Sequence, residues 1–238
     1  MVENPTLFFL TVITTIYTYG GLVYQYVWNM SVSNGFSTGI PLLDREIGGG
    51  LPPGSILLFI APPASQSEQF LYRFSQPRET LYSTTVRSKH SIIDAITRTP
   101  QNIAEPTVED HTDSPVTQIQ KAVGRLKEES TLIVDTIDPL EENDPADYTY
   151  FLNDIQNEIA NTESIVILHA MKSDVTNKNR DLTKQMADVV FDLSQTQKNG
   201  KIISMLSIPK YRGGSIPAEP IKLDLTEGIT IDPSRDIS

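Results

Sequence analysis

Residues 37–70 read STGIPLLDREIGGGLPPGSILLFIAPPASQSEQF, and this stretch decides how the chain is understood. At its centre, Ile56-Leu57-Leu58-Phe59-Ile60 is an apolar run with no polar interruption. A half-exposed strand would alternate. An unbroken run suits a strand covered on both faces, as in a parallel sheet between layers of helices. A short helix and the Gly48-Gly49-Gly50 turn precede the strand. After it comes a tight loop, Ala61 to Glu68, and then a helix start. That corner is where nucleotide-binding folds hold phosphate against backbone amides. Here it carries neither glycine nor lysine.

Working outward, the pattern repeats. Gln66–Phe74 reads as a helix with Phe70, Leu71 and Phe74 on one face, closed by Pro77. Thr80–Val86 reads as a second strand and Ser88–Thr97 as a helix. Residues 99–115 are turn-rich, with room for a short strand near Ile103. Val116–Glu129 has Val116, Ile119, Val123 and Leu126 at helical spacing. Thr131–Thr136 is a third strand, Glu141–Asp147 an acidic loop, Tyr148–Asn161 a helix and Ser164–His169 a fourth strand. Lys172–Arg180 reads as a loop and Asp181–Met186 as a short helix. The remainder reads as strand and turn: Asp188–Leu193, Lys201–Pro209, Pro220–Leu225 and Ile229–Ile231. Strands that alternate with helices and end in hairpins predict an α/β protein. Its mainly parallel sheet is flanked by helices and closed by antiparallel C-terminal strands.

Composition excludes several chemistries. The 238 residues contain no Cys, so disulfides, thiolate metal sites and Cys nucleophiles are ruled out. With three His, a His-rich metal centre is not expected. Lys and Arg total 19 against 30 Asp and Glu, a formal charge of -11. Sequence-independent duplex binding needs cationic contacts to phosphate, so nucleic acid is an unfavoured partner. An acidic surface poor in lysine also suits a salty cytoplasm.

Residues 1–29 form a separate hydrophobic segment ahead of a domain at 30–238. Leu7 to Trp28 carries no formal charge and is long enough to cross a bilayer, with Tyr24, Tyr26 and Trp28 placed like an interfacial belt. Glu3, with no Lys or Arg nearby, argues against a secretory signal. Two expectations stand together: a cytoplasmic domain tethered to a membrane through 7–28, or a natural start at Met30.

The motifs then combine. Ser37-Thr38-Gly39-Ile40-Pro41, Leu43-Asp44, Gly48-Gly49-Gly50-Leu51-Pro52 and Gly54-Ser55 resemble the opening of the KaiC-like branch of the RecA-superfamily ATPases. Thr131–Asp135 resembles that family's Walker B strand, and Ala187-Asp188-Val189-Val190 its A-D-x-hydrophobic strand. Lys210-Tyr211-Arg212-Gly213 resembles its K-x-R-G turn, and Gly228-Ile229-Thr230-Ile231 its closing strand. The resemblance spans about 36–233 and implies a RecA-like fold in an archaeal, haloarchaeal setting.

The same resemblance marks what has changed. The family's phosphate loop is G-x-x-G-x-G-K-[ST]. The corresponding residues here are Ala61, Ala64 and Gln66 at the glycines, Ser67 at the lysine and Glu68 at the hydroxyl that binds magnesium. The second strand, which in the family ends in acidic residues that activate water, reads Tyr82-Ser83-Thr84-Thr85-Val86-Arg87. Asp135 alone survives of the metal-binding positions. The expectation is a catalytically inactive regulatory or scaffold protein in signal transduction, with no bound cofactor or metal. It would partner an active RecA/KaiC-like ATPase or copies of itself, and Lys210 and Arg212 would reach into a partner's site. A divergent ATPase with unconventional nucleotide binding and a DNA-recombination accessory protein are the alternatives. His169 reads as structural, without an Asp or Ser partner, and Glu141-Glu142-Asn143-Asp144 as a solvated loop.

Overall fold

The computed structural model describes residues 13–19, 22–28, 35–99, 103–173, 177–198, 200–225 and 228–231. They fall into two units, Met1–Ser33 and Asn34–Ser238.

In the first unit, β1 (Ile13–Tyr19) and β2 (Leu22–Trp28) pair antiparallel, with Tyr19 opposite Leu22. Residues 20 and 21, within the segment 7–28 expected as a possible membrane anchor, lie outside the described residues. Ile, Thr, Val, Tyr and Trp favour extended backbone. Among the described residues no helix is long and apolar enough to cross a membrane. Residues 7–12 lie outside the described residues.

In the second unit, α1 (Pro41–Glu46) leads to β3 (Ile56–Ala61), α2 (Glu68–Phe74), β4 (Thr80–Thr84), α3 (Lys89–Arg98) and β5 (Thr107–Asp110). Then come α4 (Pro115–Val123), β6 (Thr131–Asp135), α5 (Asp138–Glu141), α6 (Pro145–Thr162), β7 (Ile165–Met171) and α7 (Arg180–Met186). The last strands are β8 (Val189–Lys198), β9 (Lys201–Tyr211), β10 (Ile221–Asp224) and β11 (Thr230–Ile231).

The sheet runs β11-β10-β9-β8-β3-β7-β6-β4-β5. From β8 to β5 every pair is parallel, and β9, β10 and β11 are antiparallel. The expected α/β architecture holds, with β3 at its centre.

The apolar strands divide their side chains between two cores. Leu57 and Phe59 of β3, Tyr82, Ile133, Ile167 and Phe191 share one core with Phe70 and Phe74 of α2 and Ile92 and Ile96 of α3. Ile56, Leu58, Leu132, Val134, Val166 and Leu168 share the other with Ile119 of α4 and Phe151, Leu152 and Ile155 of α6. Every residue of β3 is buried, because both of its faces are covered.

The differences from the sequence reading lie at element ends. α4 stops at Val123, before Gly124, and not at Glu129. α6 begins at Pro145, because Asp144 accepts a hydrogen bond from the Ala146 amide and proline suits the first turn. The short strand expected near Ile103 forms instead at Thr107–Asp110.

The approach segment shows why its motif is so specific. Asp44 accepts hydrogen bonds from Ser37 Oγ at 2.6 Å, the Thr38 amide at 2.8 Å and Thr38 Oγ1 at 2.6 Å. Gly39 has φ +79, and a Cβ there would sit 2.2 Å from the Arg73 carbonyl oxygen. No other residue fits that approach.

Candidate functional site

The site is built at the carboxyl ends of β3, β7, β6 and β4, four adjacent parallel strands of the sheet. In such sheets ligand sites form outside the carboxyl ends of the strands. Strand register sets the level. Phe59 lies opposite His169, His169 opposite Asp135, and Asp135 opposite Thr84. In a parallel pair, residues at one level project to one face. His169 and Asp135 therefore sit side by side, and the Phe59 ring stacks on His169 with centroids 5.5 Å apart.

Asp135 is 4% exposed and has partners at both oxygens. Oδ1 meets His169 Nδ1 at 2.8 Å. Oδ2 accepts from Tyr82 OH at 2.7 Å and from Arg87 Nη2 at 2.7 Å. Burial alone would raise the Asp135 carboxyl. The His169 hydrogen bond and charge, then Arg87 and Tyr82, outweigh burial and hold it well below the usual carboxylate range. Burial likewise opposes the charge on Arg87, and the Asp135 carboxylate overrides it upward. Burial, then Asp135, pushes the Tyr82 phenol well up, so it stays a neutral donor.

The far ring nitrogen of His169, Nε2, lies 3.1 Å from Ser67 Oγ. Ser67 is the N-terminal flanking residue of α2 and is buried. The chain Ser67–His169–Asp135 thus joins the loop after β3 to the ends of β7 and β6. This corrects the reading of His169 as a histidine without an Asp or Ser partner.

The loop itself keeps an unusual backbone. Ala64 has φ 59 and Gln66 φ 58, the left-handed region that glycine occupies freely and other residues at a cost. Both side chains are exposed. Ser65 is buried between them, and its Oγ has no hydrogen-bond partner. A cleft of about 500 Å³ opens beside the loop, lined among others by Ser67, Glu68, Val86, Arg87, Asp135 and His169.

A second cleft of about 720 Å³ lies along Pro62, Pro63, Lys172, Arg180, Lys184 and Asp192. Its cations are already paired. Lys172 forms an ion pair with Asp192, and Lys184 with Asp181. Arg180 Nε reaches both oxygens of Glu141 at 2.9 and 2.8 Å, and its Nη2 reaches Asp138 at 2.9 Å. Thr183 and Asn177 donate to the same Glu141 carboxylate. Glu141 is 0% exposed, so the segment expected as a solvated acidic loop instead begins with a buried clamp.

Lys210 and Arg212 lie toward the opposite end of the sheet. The β8–β9 register sets Lys210 against Val190. Lys210 Nζ donates to the Lys184 and Gln185 carbonyls near the end of α7, at 3.0 and 2.8 Å. Arg212 pairs with Asp188 at 2.9 Å, and Asp188 also accepts from the Ile56 amide at 3.0 Å. Burial, then the neighbouring Arg212, lowers the Lys210 ammonium.

Sequence reading placed Ala61, Ala64, Gln66, Ser67, Glu68 and Asp135 around one corner. It missed Tyr82, Arg87 and His169, and the Glu141–Arg180 clamp. One signal was available: Asp135 and His169 each close an apolar run, TLIVD and SIVILH, so parallel pairing sets them level.

Two solved structures share this architecture. The flagellar accessory protein FlaH of Methanocaldococcus jannaschii matches with TM-score 0.65 at 16% identity, over 81% of this chain and 95% of its own. A KaiC-like protein of Pyrococcus horikoshii matches with TM-score 0.67 at 16% identity, over 83% of this chain and 98% of its own. At that identity the likeness speaks for the fold alone: the described architecture is the one these two archaeal proteins share. A search of curated proteins returned no match. The chain belongs to the family described as "Family of unknown function (DUF7125)", whose model matches residues 35–238.

Proposed function

We propose that this protein is a member of the KaiC-like RecA fold that has given up ATP hydrolysis and serves as a regulatory or scaffold subunit in archaeal signalling. The observation that carries this reading is the saturation of Asp135. In an active relative the aligned carboxylate would help hold magnesium. Here a guanidinium, a phenol and an imidazole take its oxygens. A metal would have to displace Arg87, whose positive charge stands where the family's acidic residues would be. Two unit charges 4 Å apart interact by about 4 kcal/mol at an effective dielectric near 20.

The loop supports the same reading as a degenerate Walker A motif. Ala64 and Gln66 retain a glycine-like φ yet add side chains where a phosphate must come close. Ser67, at the lysine position, is engaged with His169. Glu68 would repel a phosphate oxygen at 4 Å by about 4 kcal/mol under the same dielectric. These residues do not fit a magnesium triphosphate.

A partner subunit of the same fold is the natural interactor. The likeness to a flagellar accessory protein and a KaiC-like protein favours an accessory role. The acidity of the chain fits a haloarchaeal cytoplasm. Lys210 and Arg212 would contribute to a partner's site only after release from the α7 carbonyls and Asp188. Titration calorimetry with ATP and magnesium tests the central point. No magnesium-dependent heat is expected from the full chain, and tight magnesium-dependent binding would return the protein to the ATPases.

A further inference from the structure

The corner that no longer suits a triphosphate carries a different arrangement of reactive groups. Ser67 Oγ, His169 Nε2 and Nδ1, and Asp135 Oδ1 form a continuous line with gaps of 3.1 and 2.8 Å. In the neutral imidazole whose Nδ1–H donates to Asp135, Nε2 would turn its lone pair toward the serine hydroxyl. That is the tautomer a general base requires. Phe59 holds the ring from one side. Ser67 and His169 are buried, yet both line the cleft of about 500 Å³. The serine also follows a residue with φ 58 at a strand-to-helix corner, a backbone course that other residues reach only at a cost.

We propose that Ser67 is an activated nucleophile, with His169 its general base and Asp135 the group that orients His169, acting on a small carboxylic ester or similarly activated acyl group. The inference goes beyond the proposed regulatory role and does not depend on it. In the reaction, Ser67 Oγ forms a bond to the acyl carbon and its proton passes to His169 Nε2. The carbon–oxygen bond to the alcohol then breaks, and the alcohol leaves with that proton. Water attacks the acyl-serine by the reverse route, releasing the acid and restoring Ser67. Arg87 and Tyr82 hold the far oxygen of Asp135 and position the carboxylate; they take no part in proton transfer.

A fluorophosphonate probe tests the proposal on the full chain. Oγ–P bond formation expels fluoride, the proton again going to His169, and leaves a stable adduct. The expected result is one adduct per chain, mapped by peptide mass spectrometry to Ser67. It should form about 100-fold faster in the native protein than in the urea-denatured chain, the lower range of what a positioned base supplies. Ser67→Ala should abolish the adduct. Ser67→Cys, which changes only one atom, should be alkylated by iodoacetamide faster in the native than in the denatured state. Labelling elsewhere, no labelling, or equal rates in native and denatured chains would overturn the assignment. The nucleotide calorimetry is a separate readout, so the two ideas fail independently.

Discussion

Two buried carboxylates in this protein each hold an arginine, and their surroundings differ. Glu141 is enclosed. Arg180 grips both of its oxygens, Thr183 and Asn177 add donors, and the Arg180 side chain is itself only 8% exposed. Asp135 is as deeply placed, but its arginine, Arg87, has a side chain 37% exposed, and its histidine borders an open cleft. The first arrangement closes a loop onto α5. The second leaves charged and nucleophilic groups at the mouth of a cavity. Arg180 also borders a cleft, so burial of charge and access do not separate the two sites; what sets Asp135 apart is a histidine within reach of a serine.

The largest effect expected from this contrast is on stability. Glu141→Gln removes the fully buried one of the two carboxylates paired with Arg180, whose side chain is only 8% exposed. Breaking a buried pair from one side costs about 3–5 kcal/mol. Asp135→Asn should cost less, about 1–2 kcal/mol, because Arg87 can turn outward while the amide retains some of the hydrogen bonds. Urea denaturation of the two variants measures the difference. Equal losses would mean that Arg87 is as confined as Arg180, and the contrast would collapse.

Acid titration sharpens the same comparison. Asp135 binds its proton more weakly in the folded state than in the unfolded chain, where a carboxyl titrates near pH 4. Its contribution is therefore complete above about pH 4 and is lost as pH falls toward the folded value. The stability gap between the wild type and Asp135→Asn should shrink as pH is lowered from 6 to 3. A gap that stays constant over that range would show that the carboxylate charge contributes nothing to folding.

Much of this molecule could be read in the sequence, and the reasons are local. The unbroken runs at β3, β6 and β7 fixed a covered parallel sheet, and Asp144-Pro145 carried a helix-start signal that apolar spacing alone overlooked. What escaped was pairing across distance. Ser67 and His169 are 102 positions apart, and Glu141 and Arg180 39 apart, so no local pattern joins them. The pairing of β1 with β2 escaped for another reason. Absence of charge over a long run is compatible with a membrane helix or with two strands, and β-branched and aromatic residues favoured the strands.

The smallest predicted effect concerns the loop between these regions. Ala64 and Gln66 sit at φ 59 and 58, where a Cβ crowds the backbone at a cost of roughly 1–2 kcal/mol per residue. Glycine would relieve that strain but also enlarge the freedom of the unfolded chain, which offsets about 0.4–1 kcal/mol. Ala64→Gly should therefore raise stability by no more than about 1.6 kcal/mol, read as a small increase in the urea midpoint with an unchanged slope. The exposed Ala64 side chain has little packing to lose, so the sign is set by backbone strain against the freedom of the unfolded chain. A decrease would mean that the unfolded-state term wins and that the loop conformation is held without strain. The strand-to-helix corner would then owe its shape to Ser67 and His169, and Ser67→Ala should be the variant that loosens it.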